Sequence, residues 1–366
     1  IELYIVSEAK NNPGANEWLL RVSIGIAKVL DIIPHNPYAW ILPYQKSRLA
    51  TMMSVKNRMP EAEELFRQVA SDLARHAGAG SIDEAIGLID LCGTLCSLHR
   101  AQEGREMANK AIAILEKHPD CPFETAAALS QLASTFMAQG ESKEAIGVLE
   151  RVIDQIENAP SEGHEHYGMT QLSSSLTSLG AAYIQARRYE DAWRVFKRTY
   201  TLKEKYFGID SHNVILGACN LCCAASHIED RARKTEAAEI GEHGLALLRK
   251  LGNNKDPLFA STLNNLGEIY LQLGDLDKAK QYLQEGFDLY CANLGPKHPK
   301  VSYSYMGMAE LQAELKNFDL ADEYCKKALE IRRSHHAGNH PDIALALELQ
   351  DKIRLKRSGS MPSPVS

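Results

Sequence analysis

Eight cysteines and two histidine clusters are the residues of this sequence with the most specific chemistry. Cys219 and Cys222 have the Cys-x-x-Cys spacing of many zinc and disulfide-exchange motifs. The sequence contains no second pair at that spacing, and one helical turn brings residues i and i+3 together in any case. We therefore expect reduced cysteines that act as small buried apolar residues, the pattern of an intracellular protein, and no metal site.

The histidine clusters are His164-Glu165-His166 and His335-His336 with His340. The first lacks the His-Glu-x-x-His spacing of zinc proteases. Both clusters fall in or beside predicted connectors, where imidazoles have few partners that could orient them on a metal. We interpret both clusters as bystanders and predict no cofactor.

Catalytic and ligand-binding motifs are absent elsewhere in the sequence. It contains no Gly-x-Ser-x-Gly, no Gly-x-x-x-x-Gly-Lys and no Gly-x-Gly-x-x-Gly. A net charge of −6 argues against nucleic acid, which requires a clustered basic surface. No run approaches eighteen apolar residues, the length of a membrane span. The sequence begins at Ile1, so we expect an artificial or processed end, and residues 1–8 do not resemble a signal peptide. We predict that the protein is not an enzyme.

A repeated sequence pattern identifies the helices that must position any binding residues. Leu266-Gly267-Glu268-Ile269-Tyr270 is followed by Ala279, and Met308-Ala309 is followed by Ala321, 42 residues after Ala279. A small residue, an aromatic three further on and an alanine twelve further on are typical of two closely packed antiparallel helices. Such a pair must stack on its neighbours to bury its apolar face.

Seven alanines mark the predicted starts of second helices, and they define the domain organisation. We predict N-terminal helices over 1–39, about six or seven repeats over 40–341, a capping helix over 342–357 and a disordered tail over 358–366. Glycine is expected to end a second helix and proline to start the next first helix, as in Leu294-Gly295-Pro296-Lys297-His298-Pro299. The alanines are Ala62, Ala108, Ala145, Ala192, Ala237, Ala279 and Ala321.

The segment Leu263–Tyr270 with Gly274–Ala279 resembles a tetratricopeptide repeat, and the 42-residue period with its Leu-Gly…His-Pro connector resembles the kinesin light chain type. This resemblance implies an all-α, right-handed superhelical solenoid in which the first helices line a concave groove. It also implies that groove asparagines bind extended peptides, a role that would fall to Asn220 and Asn265.

The candidate groove residues are polar, and most occupy equivalent positions of successive first helices. An asparagine there can donate to and accept from a peptide backbone at once; the alternative interpretation is that asparagine merely tolerates an exposed surface. Glu268, Glu310 and Glu314 are expected to repel acidic ligands at one end of the groove. The candidates are Gln131, Ser178, Asn220, Asn265, Gln272 and Tyr303, with Gly307 at the equivalent position of its own helix.

Two functions fit these patterns. The first is a non-catalytic scaffold or adaptor that binds a partner peptide in the groove, such as a cargo adaptor or a subunit of a larger assembly. The second is a regulatory sensor, in which a bound ligand changes the superhelix pitch and so controls a partner enzyme. The cysteine pattern favours the cytoplasm, and a processed organellar protein is the alternative.

The tail Arg357-Ser358-Gly359-Ser360-Met361-Pro362 fits Arg-Ser-x-Ser-x-Pro, which resembles a phosphoserine ligand of 14-3-3 proteins. Ser360 and Ser358 are therefore candidate phosphorylation sites. The alternative interpretation is a basic helix end that runs into an ordinary disordered tail.

Overall fold

The computed structural model describes residues 13–31, 40–55, 58–158, 165–250, 252, 257–335 and 341–358. Over these residues the chain forms helices and short turns without any strand, so the predicted all-α class is confirmed. The chain divides into two compact units, Ile1–Arg188 and Tyr189–Ser366, which we call the N-terminal and C-terminal units.

The N-terminal unit contains eight helices over its described residues. Helix α2 packs on α3, α4 on α5 and α6 on α7, while α4 also contacts α6 and α6 contacts α8. Of the predicted N-terminal helices over 1–39, the described residues contain α1, which packs on α2. The helices are α1 (Pro13–Asp31), α2 (Ile41–Val55), α3 (Met59–Ala77), α4 (Ile82–Ser97), α5 (Ala101–Leu115), α6 (Pro122–Ala138), α7 (Ser142–Asn158) and α8 (Glu165–Gln185).

The C-terminal unit also contains eight helices in the part of the chain that is described. The pairs α10–α11, α12–α13 and α14–α15 follow α9, and α16 packs on α15 and α14 at the end. The helices are α9 (Tyr189–Phe207), α10 (His212–Ala225), α11 (Arg231–Lys250), α12 (Pro257–Leu273), α13 (Leu276–Leu294), α14 (Pro299–Glu314), α15 (Phe318–His335) and α16 (Pro341–Ser358).

Small residues allow the paired helices to approach closely. All seven alanines predicted at the second helices are 0% exposed. A Cβ added to Gly267 on α12 would lie 2.5 Å from Leu283 Cγ on α13, and one added to Gly286 on α13 would lie 3.3 Å from Leu263 Cβ on α12. The later residue of α12, Gly267, thus meets the earlier residue of α13, Leu283, and the earlier residue Leu263 meets the later residue Gly286. This order shows that the two helices are antiparallel.

The connector between α13 and α14 has the predicted caps. Gly295 ends α13 with a φ of +83°, a conformation that glycine adopts without the strain of a Cβ. Pro299 starts α14, where its missing N–H costs nothing, and the His298 side chain accepts from the backbone N–H of Lys300. These two caps end α13 and begin α14, which packs beside the preceding first helix α12.

Candidate functional site

The first helices of the C-terminal unit form a continuous layer, because α10 packs on α12, α12 on α14 and α14 on α16. Their polar side chains that are not fully buried form a surface that we call the inner face. It includes four of the predicted groove residues together with two carboxylates. These are Asn220, Asn265, Gln272, Tyr303, Glu268 and Glu310.

Amide side chains on α12 connect it to α10. Asn265 Nδ2 donates to the backbone carbonyl of Cys219 at 3.1 Å, and Gln272 Nε2 donates to the carbonyl of Ser226 at 2.6 Å. Ser226 caps the C-terminus of α10, where backbone carbonyls lack helical partners. These two groove candidates therefore also stabilise the contact between successive repeats, a packing role that we did not expect for Asn265.

The carbonyl end of Asn265 remains available to a ligand. Its Oδ1 accepts no hydrogen bond from the described residues, while its Nδ2 is held by Cys219. Because the amide is oriented by one fixed bond, its acceptor is pre-positioned for an N–H of a bound chain. Asn220 on the preceding first helix, α10, is half-buried.

The remaining candidates differ in their surroundings. Tyr303 on α14 is 43% exposed, and its hydroxyl donates to Asp342 Oδ2 on α16 at 3.1 Å. Gln131 and Ser178 are half-buried and belong to the N-terminal unit. Gly307 is buried, and a Cβ there would lie 2.6 Å from Leu283 Cδ2. The expectation that Gly307 lines the groove is therefore wrong, because this glycine faces the preceding second helix.

Glu268 lies half-buried on the inner face. Burial and the negative charge of Glu310 raise its pKa from 4.5 to about 7, against the opposing effects of the Ser226 hydrogen bond and the positive charge of Arg332. Near neutral pH this side chain therefore exists in both protonation states. It can accept from a ligand when ionised and donate to one when protonated.

The stability of the C-terminal unit is expected to depend on the protonation of Glu268. Because folding raises its pKa, the native state loses stability as the pH rises from about 4.5 to about 7. We therefore expect Glu268→Gln to be more stable than the wild type near pH 8, with the difference vanishing near pH 4. Urea unfolding at several pH values measures this, with the exposed Glu239→Gln as the charge control. A difference that does not change with pH would contradict the prediction.

Two of the three carboxylates that were expected to repel acidic ligands form ion pairs with lysines. Glu310 accepts from Lys352 Nζ at 2.6 Å, and Glu314 forms an ion pair with Lys356. Both lysines lie on α16, which was predicted only as a cap. The last helix therefore neutralises two of the acidic groups at this end of the inner face.

Sequence reasoning missed Arg332 on α15, which is only 1% exposed. A usable signal was its spacing: Cys325, Leu329 and Arg332 follow the apolar stripe of α15, and all three are buried. A cation on that stripe must find partners inside the protein.

The cysteines and histidines of the described residues form neither a disulfide nor a metal-ligating cluster. All eight cysteines are free thiols, and Cys222 Sγ donates to the carbonyl of Ala237 at 3.1 Å. Burial raises the pKa of Cys223 to about 12, so its reactive thiolate is disfavoured. The described residues include no group of three metal-ligating side chains, and His164, His336 and His340 lie outside them. None of the described helices is long and apolar enough to cross a membrane.

Sequence profiles of the tetratricopeptide repeat match more than half of the chain. One profile matches residues 218–292 and 258–334, a second 128–162 and a third 172–213. The chain belongs to the tetratricopeptide repeat family, and its repeats resemble the kinesin light chain type.

A curated relative is the protein kinesin light chain-related 1 of Arabidopsis thaliana. It is 25% identical over 258 residues, which cover 69% of this chain and 40% of the relative. A second, kinesin light chain-related 3 of the same plant, is 23% identical over 64% of this chain and 36% of that protein. The chain thus spans about two fifths of the length of the curated relatives it matches.

Two solved structures share the fold. The apo form of the quorum sensor NprR from B. thuringiensis has a TM-score of 0.60 at 15% identity, over 90% of this chain and 85% of that one. A Rap protein complexed with Competence and Sporulation Factor has a TM-score of 0.56 at 12% identity, over 94% of this chain and 82% of that one. At these identities the similarity concerns the fold alone.

Proposed function

We propose that this protein is a non-catalytic interaction scaffold that binds an extended segment of a partner protein on the inner face. The observation that carries the proposal is the fixed Asn265 amide, which presents its Oδ1 without a donor from the described residues. Such an acceptor pairs with a backbone N–H of any sequence, so it supplies affinity while neighbouring side chains supply specificity.

The more specific form of this proposal is a cargo adaptor or a subunit of a larger assembly, in line with the kinesin light chain-related proteins it resembles. A peptide held by a few amides and apolar contacts is expected to bind at about micromolar affinity, or roughly −8 kcal/mol. We place the protein in the cytoplasm, in keeping with its eight free cysteines.

A ligand-responsive regulatory sensor is the second candidate. The quorum sensor NprR and the Rap protein crystallised with a factor share the fold, which supports considering it. A sensor must change shape with its ligand, whereas a scaffold holds its dimensions. Small-angle scattering of the free and peptide-bound protein separates the two, because only the sensor predicts a change in the radius of gyration.

Replacing Asn220 and Asn265 with alanine is expected to weaken peptide binding. The test first selects peptides from a displayed random library on the wild-type chain. Each substitution should then cost about 1–3 kcal/mol of binding free energy, because a peptide group at the interface loses its partner. Asn265→Ala should also lower the stability by about 1 kcal/mol, since it breaks the bond to Cys219.

The matched control for this test is Asn293→Ala, which removes an exposed asparagine from the second helix α13. Its affinity for the selected peptides should equal that of the wild type. If the double variant Asn220→Ala with Asn265→Ala binds the peptides as tightly as the control does, the inner face is not the binding surface.

The tail is proposed as a phosphorylation-dependent site for 14-3-3 proteins, with Ser360 as the phosphorylated residue. Ser360 lies outside the described residues, whereas Ser358 ends α16 and its hydroxyl donates to the carbonyl of Leu355 at 3.0 Å. A phosphate on Ser358 would meet the negative end of the helix, which disfavours it. We expect a 354–366 peptide phosphorylated on Ser360 to bind a 14-3-3 protein in fluorescence polarisation, and equal binding of the unphosphorylated peptide would refute this.

A further inference from the structure

The guanidinium of Arg332 is an incompletely paired cation beneath the inner face. Its Nε donates to Ser302 Oγ at 3.0 Å, and its Nη1 donates to the backbone carbonyl of Asp342. Its carbon Cζ lies 4.7 Å from the centre of the Tyr303 ring. Its Nη2 is buried and has no hydrogen-bond partner among the residues that the structure describes.

Such an arrangement is costly for the free protein. A buried charged N–H without an acceptor loses its water without compensation, whereas a partner carboxylate restores the lost interaction. The buried cation Lys46 shows the ordinary solution, because its Nζ contacts Asp72 Oδ2 at 2.5 Å. Within the described residues, Arg332 instead hydrogen-bonds to a hydroxyl and a carbonyl and lies against an aromatic ring, and no carboxylate is paired with it.

Tyr303 is the inner-face side chain that lies against this cation. Its ring lies over the guanidinium, yet 43% of the residue is exposed. One hydrogen bond, from its hydroxyl to Asp342 Oδ2 at 3.1 Å, ties it to α16. A rotation of this one exposed side chain would therefore open space beside the guanidinium.

We propose that Arg332 forms a carboxylate-binding subsite of the inner face, which a ligand reaches by displacing the Tyr303 ring. The subsite deepens the proposed function and rests on it, because it selects an acidic group in the bound partner segment. That group is either a C-terminal carboxylate or an aspartate or glutamate side chain. Nη2 donates to one carboxylate oxygen, and the ligand charge compensates the guanidinium.

The surroundings favour a carboxylate over a phosphate. Asp342 and Glu268 both lie close enough to Arg332 to influence it electrostatically. A dianionic phosphate would be repelled by these two groups more strongly than a monoanion. A carboxylate carries one negative charge, which matches the charge of the guanidinium, and its oxygens can accept from the two N–H bonds of Nη2.

The test is a titration of the full chain, labelled with 15N-arginine, followed by NMR. The signal of the Arg332 Nε–Hε group is assigned by its loss in Arg332→Lys. N-acetylglycine presents a main-chain carboxylate, N-acetylaspartic acid α-amide presents a side-chain carboxylate, and N-acetylglycinamide is the neutral control. We expect at least one acid to shift the Arg332 signal saturably and the neutral amide to leave it in place.

The matched variant is Tyr303→Phe, which keeps the ring and removes the hydrogen bond to Asp342. It should bind the acid several-fold more tightly, because the ring is easier to displace. The acid that binds more tightly identifies the source of the carboxylate. An Arg332 signal that neither acid moves, or that the neutral amide moves equally, overturns the subsite. This titration needs no selected peptide, so its failure is distinct from failure of the library selection.

Discussion

Replacing Asp72 with alanine is expected to destabilise the N-terminal unit by about 3–5 kcal/mol. Asp72 Oδ2 lies 2.5 Å from Lys46 Nζ, and the two side chains are only 10% and 6% exposed. Once the carboxylate is removed, a buried ammonium group remains without a counter-charge. Urea unfolding combined with hydrogen exchange over α2 and α3 measures the loss.

The reverse substitution, Lys46→Met, should cost clearly less. Asp72 would retain Arg75, whose Nη2 lies 3.0 Å from Asp72 Oδ1 and whose side chain is 58% exposed. The double variant Lys46→Met with Asp72→Leu should recover most of the loss, since a buried apolar pair is often as stable as a buried ion pair. Equal losses for the two single variants would contradict this account of the pair.

Gly267→Leu is expected to destabilise the C-terminal unit by about 3 kcal/mol through overpacking. Even a Cβ at this position would lie 2.5 Å from Leu283 Cγ and 3.2 Å from the Leu283 backbone nitrogen. The Leu283 side chain has little room to move away, because its Cδ2 also packs against Gly307 of α14, where an added Cβ would lie 2.6 Å from it. The damage should therefore spread to α14.

Hydrogen exchange resolved by segment measures this spread, with Gly147→Leu as the control. Gly147 on α7 is exposed, and a Cβ there would meet no atom within 4 Å. The control should be neutral or slightly stabilising, because a non-glycine residue lowers the entropy of the unfolded chain. Faster exchange in α12, α13 and α14 for Gly267→Leu alone supports the packing, and unchanged exchange there would show that the assigned contact is wrong.

The repeat architecture could be predicted from the sequence because each repeat solves the same packing problem. A close crossing of two helices tolerates only small residues, so the seven alanines recur and all are fully buried. The caps were predictable for a related reason, since Gly295 and Pro299 have backbone preferences that act locally.

The candidate site was predictable only in part, because its details depend on contacts between residues about 30 to 46 positions apart. Asn265 could be placed on a first helix, but its bond to the Cys219 carbonyl 46 residues earlier has no signature in the sequence. From the sequence, Glu310 was expected to repel acidic ligands, but in the structure it forms an ion pair with Lys352 of α16. The guanidinium of Arg332 is oriented by a hydrogen bond to Ser302, which lies 30 residues earlier on another helix.

Site-directed photocrosslinking tests the central claim most directly. The photoreactive amino acid p-benzoylphenylalanine replaces either Tyr303 on the first helix α14 or Tyr206 on the second helix α9, which are exposed by 43% and 39%. Peptides selected on the wild-type chain are added, and the cross-linked products are identified by mass spectrometry. We predict cross-links from position 303 and none from position 206. Cross-links from position 206 alone, or a selection that yields no peptide, would contradict the claim that the first helices hold a partner segment.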